Sequence, residues 1–175
     1  EVGAAREQAE AAIAISTSYG FPFILSWAII IRGWTLVELG EADEGVAEIR
    51  RGLADYQATG AEFTRTDYLA LLAEAYGKRG QIDEGLNVLA EALDAATDTG
   101  ERRWQAELFR LKGELTLTRD EDEAEACFVQ AIEIARSQKA KSLELRASKS
   151  LSRLWLIHGK REEARQLLEE IYDWF

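Results

Sequence analysis

The apolar positions of the chain recur at helical spacing, and short polar turns interrupt them. In the clearest stretch an apolar stripe runs through Leu69, Leu72 and Tyr76, breaks at a glycine and resumes on a second segment. Spacings of three and four residues place such side chains on one face of an α-helix. The pattern therefore predicts two helices joined by a tight turn, with Gly80 ending the first and Asp83 capping the second.

This helical pair repeats about every 40 residues. Three series of small residues keep the period, with one deletion in the third unit: Gly20, Gly60, Gly100 and Ala140; Gly33, Ala73, Gly113 and Ser152; Ala5, Gly45, Gly85, Ala124 and Ala164. A period in this range is typical of stacked helical hairpins. The sequence predicts an all-α fold, an α-solenoid of about nine helices.

The small residues also predict where the helices cross. Antiparallel helices approach to about 8–10 Å only where side chains are short. A glycine inside a helix is unfavourable by roughly 1 kcal/mol relative to alanine, so its repeated use indicates close packing. We expect three crossing pairs: Gly33 with Gly45, Ala73 with Gly85, and Gly113 with Ala124.

We expect a single repeat domain over residues 1–175, with repeats at 21–60, 61–100, 101–140 and 141–175. Residues 1–20 predict one helix, from Ala4 to about Thr17, in the phase of the second helix of later repeats. Its missing partner and the absence of methionine predict a fragment of a larger protein. An unpaired end helix exposes apolar surface, which could support a homodimer through the solenoid ends.

Two small residues with an aromatic between them, as in Ala73, Tyr76 and Gly85, resemble the tetratricopeptide repeat, although that repeat is normally about 34 residues long. Longer strings resemble the C-terminal repeat region of bacterial adenylate/guanylate cyclase–ATPase fusion proteins: residues 69–77, 111–115, 124–128, 141–147 and 172–175. The resemblance implies a sensor or regulatory part of a signal-transduction protein. It also implies that the cyclase and ATPase modules lie outside residues 1–175.

The composition of the chain argues against two classes of binding partner, nucleic acids and membranes. The net charge of −11 opposes nucleic-acid binding, because phosphates require a basic surface. No apolar run approaches the roughly 18 residues that span a bilayer, so we expect no membrane partner. The lone Cys127 excludes an internal disulfide and favours a reducing cytoplasm.

Residues that carry catalysis or bind metals are scarce. No phosphate-binding loop of the G-x-x-x-x-G-K-[ST] type occurs, and His158 is the one histidine. Carboxylate pairs such as Glu162 and Glu163 stand at predicted helix starts, where they favour the positive helix end. We therefore expect a non-enzymatic domain with no catalytic residues, no metal site and no cofactor.

The first helix of each pair lines the concave face in arrays of this kind. The predicted partner-binding residues share one helical face in each repeat: Trp27, Ile30, Trp34, Asp67, Glu74, Glu107, Arg110, Glu114, Arg146, Lys149 and Arg153. This face changes from aromatic through acidic to basic along the chain. Residues 139–165 carry 8 Lys and Arg against 3 Asp and Glu.

The basic end allows two interpretations. Arg146, Lys149 and Arg153 could bind a carboxylate-bearing or acidic segment of a protein or peptide, because arginine matches carboxylates bidentately. The alternative is that they pair with Glu107 and Glu114 on the neighbouring helix.

The aromatic end is also open. Trp27 and Trp34 could anchor a ligand helix or peptide, or they could pack against a helix that is absent from the sequence. Our leading hypothesis is a non-catalytic domain that binds protein or peptide. The alternatives are a self-association module that dimerises the parent protein, and a small-molecule sensor with an apolar pocket near the two tryptophans.

Overall fold

The structure, a computed structural model, describes residues 2–174. Every regular element in this range is an α-helix: α1 Val2–Tyr19, α2 Pro22–Glu38, α3 Ala42–Ala58, α4 Arg65–Lys78, α5 Ile82–Thr99, α6 Gln105–Thr116, α7 Glu121–Ser137, α8 Lys141–Ile157 and α9 Arg161–Tyr172.

The helix ends follow from local residues. Gly80 follows α4 with φ +80°, a conformation that glycine adopts without strain. Pro22 is the first residue of α2, a position at which the backbone N–H has no acceptor within the helix, so its absence in proline costs no hydrogen bond. Asp120 caps α7, because its carboxylate accepts a hydrogen bond of 2.9 Å from the Glu123 N–H. Asp83 is not the cap that its sequence position suggested, since α5 already begins at Ile82 and Asp83 lies in its first turn.

The helices form two compact units, one ending at Val88 and the other beginning at Leu89 within α5. In unit 1, α1 packs on α2, α2 packs on α3 and α4, and α3 packs on α4. In unit 2, α6 packs on α7 and α8, α7 on α8, and α8 on α9. The single domain over residues 1–175 and its repeat boundaries stay predictions.

Close helix crossings lie at predicted positions in both units. A Cβ atom added to Gly33 would lie 2.8 Å from the Gly45 carbonyl oxygen, and one added to Gly113 would lie 3.1 Å from the Ala124 carbonyl oxygen. Glycine is therefore required where α2 crosses α3 and where α6 crosses α7. The crossing of Ala73 with Gly85 stays a prediction.

Apolar side chains fill the space between the helices. In unit 2, one cluster joins α7 and α8: Ala124, Phe128, Ala131, Ile132, Ala147, Leu151 and Leu154. In unit 1, Tyr56 is fully buried, and its ring meets Tyr68 edge-on with centroids 5.1 Å apart. Its hydroxyl donates a hydrogen bond to the Phe63 carbonyl, which fixes the segment before α4. No helix within residues 2–174 is both long and apolar enough to cross a bilayer.

Candidate functional site: the α6–α8 surface

Helix α6 brings three predicted residues together. Arg110 donates two hydrogen bonds to the carboxylate of Glu107, of 2.7 and 3.0 Å, in a bidentate arrangement. It also donates one of 3.2 Å to Glu114, one turn further along the helix. Residues three and four apart on a helix face one another, so these pairs follow directly from the sequence spacing.

Helix α8 adds two arginines to the same group. The Arg146 guanidinium lies 2.7 Å from Glu107, and that of Arg153 lies 3.0 Å from Glu114. The Ser150 hydroxyl donates a hydrogen bond of 2.6 Å to Glu114 between them. Of the two interpretations of the basic end, the structure therefore shows pairing with the neighbouring glutamates.

The surface above this network stays positively charged. Three arginines oppose two glutamates, and Lys149 on α8 adds a further exposed cation. The side chains of Arg146 and Arg153 retain 49% and 66% of their accessible surface despite their ion pairs. We call the exposed side chains of Arg146, Lys149 and Arg153 the cationic strip.

Two of the predicted contact residues in unit 2 are too buried to meet a partner. Glu107 keeps 3% of its accessible surface and Arg110 keeps 7%. They lie between α6 and α8, where burial of a charge requires a paired partner. Their role is to hold α8 against α6. Ser150 was missed, and its only signal in the sequence is that it stands one turn from Arg146 and Arg153 on the same helix.

The predicted residues of unit 1 divide between surface and core. Trp27 is 43% exposed, and Trp34, Asp67 and Glu74 are half-buried. Ile30 was wrongly placed on the binding face, because it is completely buried. A Cβ atom added to Gly52 of α3 would lie 2.6 Å from its Cγ1 atom, so Ile30 packs into the α2–α3 crossing.

The two acidic residues of α4 have local partners. The Thr66 hydroxyl donates a hydrogen bond of 3.4 Å to Asp67. Glu74 lies 3.7 Å from the Lys78 ammonium, which also pairs with Glu38 of α2. The structure thus keeps the acidic residues at half-buried positions on α4 without gathering them into a site.

An apolar cleft that the sequence located only through Trp27 lies between α1 and α2. Its volume is about 410 Å³. Alanines dominate its α1 side, and its lining residues are Ala5, Gln8, Ala9, Ala12, Trp27, Ala28 and Ile31. Trp27 lines this cleft and Trp34 does not, so the predicted ligand pocket near both tryptophans stays a prediction.

A buried ion pair in unit 2 stands apart from the cationic strip. Burial alone would raise the pKa of Glu144, which is 3% exposed. Hydrogen bonds of 2.8 Å from Lys141 and 2.9 Å from Arg136 outweigh that effect and hold the pKa of Glu144 below its usual value. This carboxylate therefore ties the end of α7 to the start of α8.

The described residues offer little for catalysis or metal binding. Within residues 2–174, no three His, Cys, Asp or Glu side chains are grouped so that they could hold a metal ion. His158 lies 3.1 Å from Glu121 in an exposed pair. Cys127 of α7 is buried, and this burial raises the pKa of its thiol.

No family model matches the chain. An uncharacterized protein of Rhizobium meliloti (strain 1021) is 30% identical over 135 residues, which are 76% of this chain. The matched chain spans only 13% of that relative's length.

Solved structures of helical-repeat proteins are similar over nearly the whole chain. The apo form of RapI has a TM-score of 0.80 at 15% identity, over 99% of this chain and 61% of RapI. BtubC from P. vanneervenii has a TM-score of 0.78 at 15% identity, over 100% of this chain and 75% of BtubC. A putative kinesin light chain of Podosopora anserina with TPR-like repeats has a TM-score of 0.64 at 20% identity, over 98% of this chain and 86% of that chain. The predicted all-α solenoid fold of tetratricopeptide-like hairpins is confirmed.

Proposed function

We propose that this chain is a non-catalytic repeat domain that binds a protein or peptide, and that the cationic strip of α8 receives an acidic or carboxylate-bearing segment. The observation that carries the proposal is the exposure of Arg146, Lys149 and Arg153 on one helix face in a chain of net charge −11. Arginine and lysine side chains that stay accessible after satisfying internal partners can still form charge-assisted hydrogen bonds to a ligand.

The two glutamates below the strip, one buried and one half-buried, support the same proposal. Glu107 and Glu114 hold Arg146 and Arg153 in place, so these guanidinium groups lose less conformational freedom when a ligand carboxylate arrives. Lys149 lies between them and forms no ion pair within the described residues. It is the strip cation whose replacement disturbs the internal network least.

The test is a fluorescence-anisotropy titration with a labelled peptide that carries four glutamates and a free carboxyl terminus. Lys149→Glu should weaken binding about tenfold, which corresponds to about 1.4 kcal/mol. Arg161→Glu, on the exposed first turn of α9, changes the net charge by the same amount and should leave binding within about twofold. Equal affinities for both variants would contradict the proposal.

The setting that fits this activity is the sensor or regulatory part of a bacterial cytoplasmic signalling protein of the cyclase–ATPase type. The repeat strings of the sequence support it, and the relative in Rhizobium meliloti is long enough to contain further domains, since the match covers 13% of it. A ligand that favours one arrangement of the repeats would shift the equilibrium of an attached effector. Cyclase and ATPase assays of the full-length parent, with and without Lys149→Glu, test this setting.

Self-association is a second candidate, and exposed aromatic side chains in unit 1 favour it. Tyr19 and Phe21 stack with centroids 6.2 Å apart and keep 74% and 52% of their accessible surface. Phe23, at 43%, follows at the start of α2. Sedimentation velocity over a wide range of concentrations tests this candidate, and a constant monomer mass would exclude it.

A small-molecule sensor is a third candidate, favoured by the apolar cleft beside Trp27. Cavities of several hundred Å³ with mostly apolar walls are typical of ligand sites. A metabolite screen that monitors tryptophan fluorescence, repeated with Trp27→Phe, tests it. The absence of any response that depends on Trp27 would remove its support.

A further inference from the structure

The cations of the strip repeat the spacing of the carboxylates beneath them. Arg146 and Arg153 are seven residues apart on α8, and Glu107 and Glu114 are seven residues apart on α6. The Arg146 guanidinium lies 2.7 Å from Glu107, and that of Arg153 lies 3.0 Å from Glu114. An α-helix that carries carboxylates two turns apart therefore matches the two arginines.

Internal contacts hold the two guanidinium groups at a fixed separation. An α-helix rises about 1.5 Å per residue, so groups paired with glutamates seven residues apart lie roughly 10.5 Å apart along α8. The Arg153 Nε atom also donates a hydrogen bond of 3.3 Å to the Lys149 carbonyl, and its Nη2 atom donates one of 3.3 Å to the Ser150 hydroxyl. A ligand must bring its carboxylates to these positions, because the arginines cannot move towards it without losing internal bonds.

Both arginines keep hydrogen-bond donors for a ligand. A guanidinium group has five N–H donors. Arg146 meets Glu107 through its Nη2 atom, and among residues 2–174 the Nη1 atom of Arg153 has no hydrogen-bond partner. Because both arginines reach back to α6, these donors lie over the seam between α6 and α8, two helices within unit 2.

The regular backbone conformations differ in how well they supply this spacing. In a β-strand the side chains of one face recur about every 6.6 Å, so a separation of roughly 10.5 Å falls between the first and second recurrence. A polyproline helix returns to the same face about every 9.3 Å and offers no side chain between for Lys149. An α-helix places residues i, i+3, i+4 and i+7 on one face, so it can meet Arg146, Lys149 and Arg153 together.

We propose that the acidic segment received by the cationic strip is an α-helix whose carboxylates lie on one face, one and two turns apart. This inference rests on the proposed binding of an acidic segment, and it adds the conformation of the ligand and the spacing of its carboxylates. Glutamates at positions i and i+7 of the ligand meet Arg146 and Arg153. A glutamate at i+3 or i+4 meets Lys149, according to the direction in which the ligand helix runs.

The test compares three labelled peptides by fluorescence anisotropy against the 175-residue chain. Each carries four glutamates on an alanine-based backbone. The first is a stapled helix with its glutamates at i, i+3, i+4 and i+7, and the second is the same stapled helix with its glutamates distributed around the circumference. The third has the glutamate positions of the first but no staple, and a central proline breaks its helix.

The first peptide should bind at least about tenfold more tightly than either of the others. Equal affinity of the first and second peptides, or binding of the proline peptide as tight as that of the first, would overturn the helical inference and leave the binding of an acidic segment intact. No binding of any of the three peptides would contradict both proposals.

Variants of the chain assign the contacts. Arg146→Gln and Arg153→Gln should each weaken binding of the first peptide about tenfold, whereas Arg161→Gln on α9 should leave it within about twofold. Circular dichroism confirms that each variant folds. Replacing one terminal glutamate of the peptide by glutamine should weaken binding to wild type, but should weaken it no further in the variant that lacks the arginine facing that glutamate. Losses that add in every combination of peptide and variant would overturn the proposal.

Discussion

Single buried carboxylates organise unit 2. Glu107 holds Arg110 and Arg146, and Glu144 holds Arg136 and Lys141, so each joins two neighbouring helices. Removing one partner of such a group is costly, because the remaining charges lose their compensation. Glu107 contributes both to the stability of this unit and to the position of Arg146 in the cationic strip, whereas Glu144 pairs with no residue of the strip and can be changed separately.

Glu144→Gln should destabilise unit 2 by about 1–3 kcal/mol at pH 7, because a charged acceptor of two hydrogen bonds is lost in a buried position. Urea denaturation followed by circular dichroism measures this. Glu162→Gln is the control: its pKa is also lowered by hydrogen bonds from Arg165, but it is fully exposed. It should change the unfolding midpoint little.

The stability difference between wild type and Glu144→Gln should depend on pH. The pKa of Glu144 is lower in the folded chain, so its carboxylate stabilises the fold above its unfolded pKa of about 4.3. That contribution is lost as the pH falls through the folded pKa. The difference between wild type and Glu144→Gln should shrink below about pH 4. A difference that stays constant down to pH 2 would contradict the role of this ion pair.

Glycine residues allow the close approach of helices at the crossing points. Gly33 approaches the Gly45 carbonyl, and Gly45 in turn has Val37 close above it, so neither can accept a methyl group without movement. The backbone atoms at these points belong to helices that cannot shift independently. The spacing of the helices in unit 1 is therefore set at α2 and α3.

Gly33→Ala should destabilise the chain by about 1–3 kcal/mol through overpacking, even though alanine favours helix formation. Gly3→Ala is a matched control, because α1 leaves open space around Gly3. That control should be neutral or stabilise by up to roughly 1 kcal/mol. Thermal unfolding of both variants checks the prediction, which fails if Gly33→Ala is as stable as Gly3→Ala.

The positions of the helices were predictable, because the residues that start, end and space them are close to one another in the sequence and recur with the repeat. The binding face was predictable only in part. A spacing of three and seven residues groups Trp27, Ile30 and Trp34, but only packing against Gly52 shows that Ile30 points into the core. The sequence left two interpretations of the α8 arginines open. Residue spacing shows that they share a helix face, but it does not show whether they pair with a glutamate of α6 or with a carboxylate of a ligand.

The whole chain is acidic, whereas the proposed binding strip is basic. The net charge of the chain is −11, yet 8 of its 21 Lys and Arg residues fall within residues 139–165. At physiological salt a charge acts over about 8 Å, so a bound acidic peptide would respond to the nearby strip more than to the distant acidic residues. Recognition of an acidic segment is thus compatible with an acidic domain.

Salt should therefore act through the strip. The roughly tenfold weakening caused by Lys149→Glu in low salt should fall to about twofold or less at 1 M, where screening shortens the range to about 3 Å. Anisotropy titrations at both ionic strengths measure this ratio. A ratio that does not depend on salt would show that the variant acts through structure rather than charge.

A charge-swap titration tests most directly whether the cationic strip recognises an acidic segment. The acidic peptide and its all-lysine counterpart are each titrated against wild type and Lys149→Glu. The lysine peptide should bind Lys149→Glu more tightly than wild type, while the acidic peptide shows the reverse order. If both peptides prefer the same protein, charge complementarity at α8 is not the basis of binding.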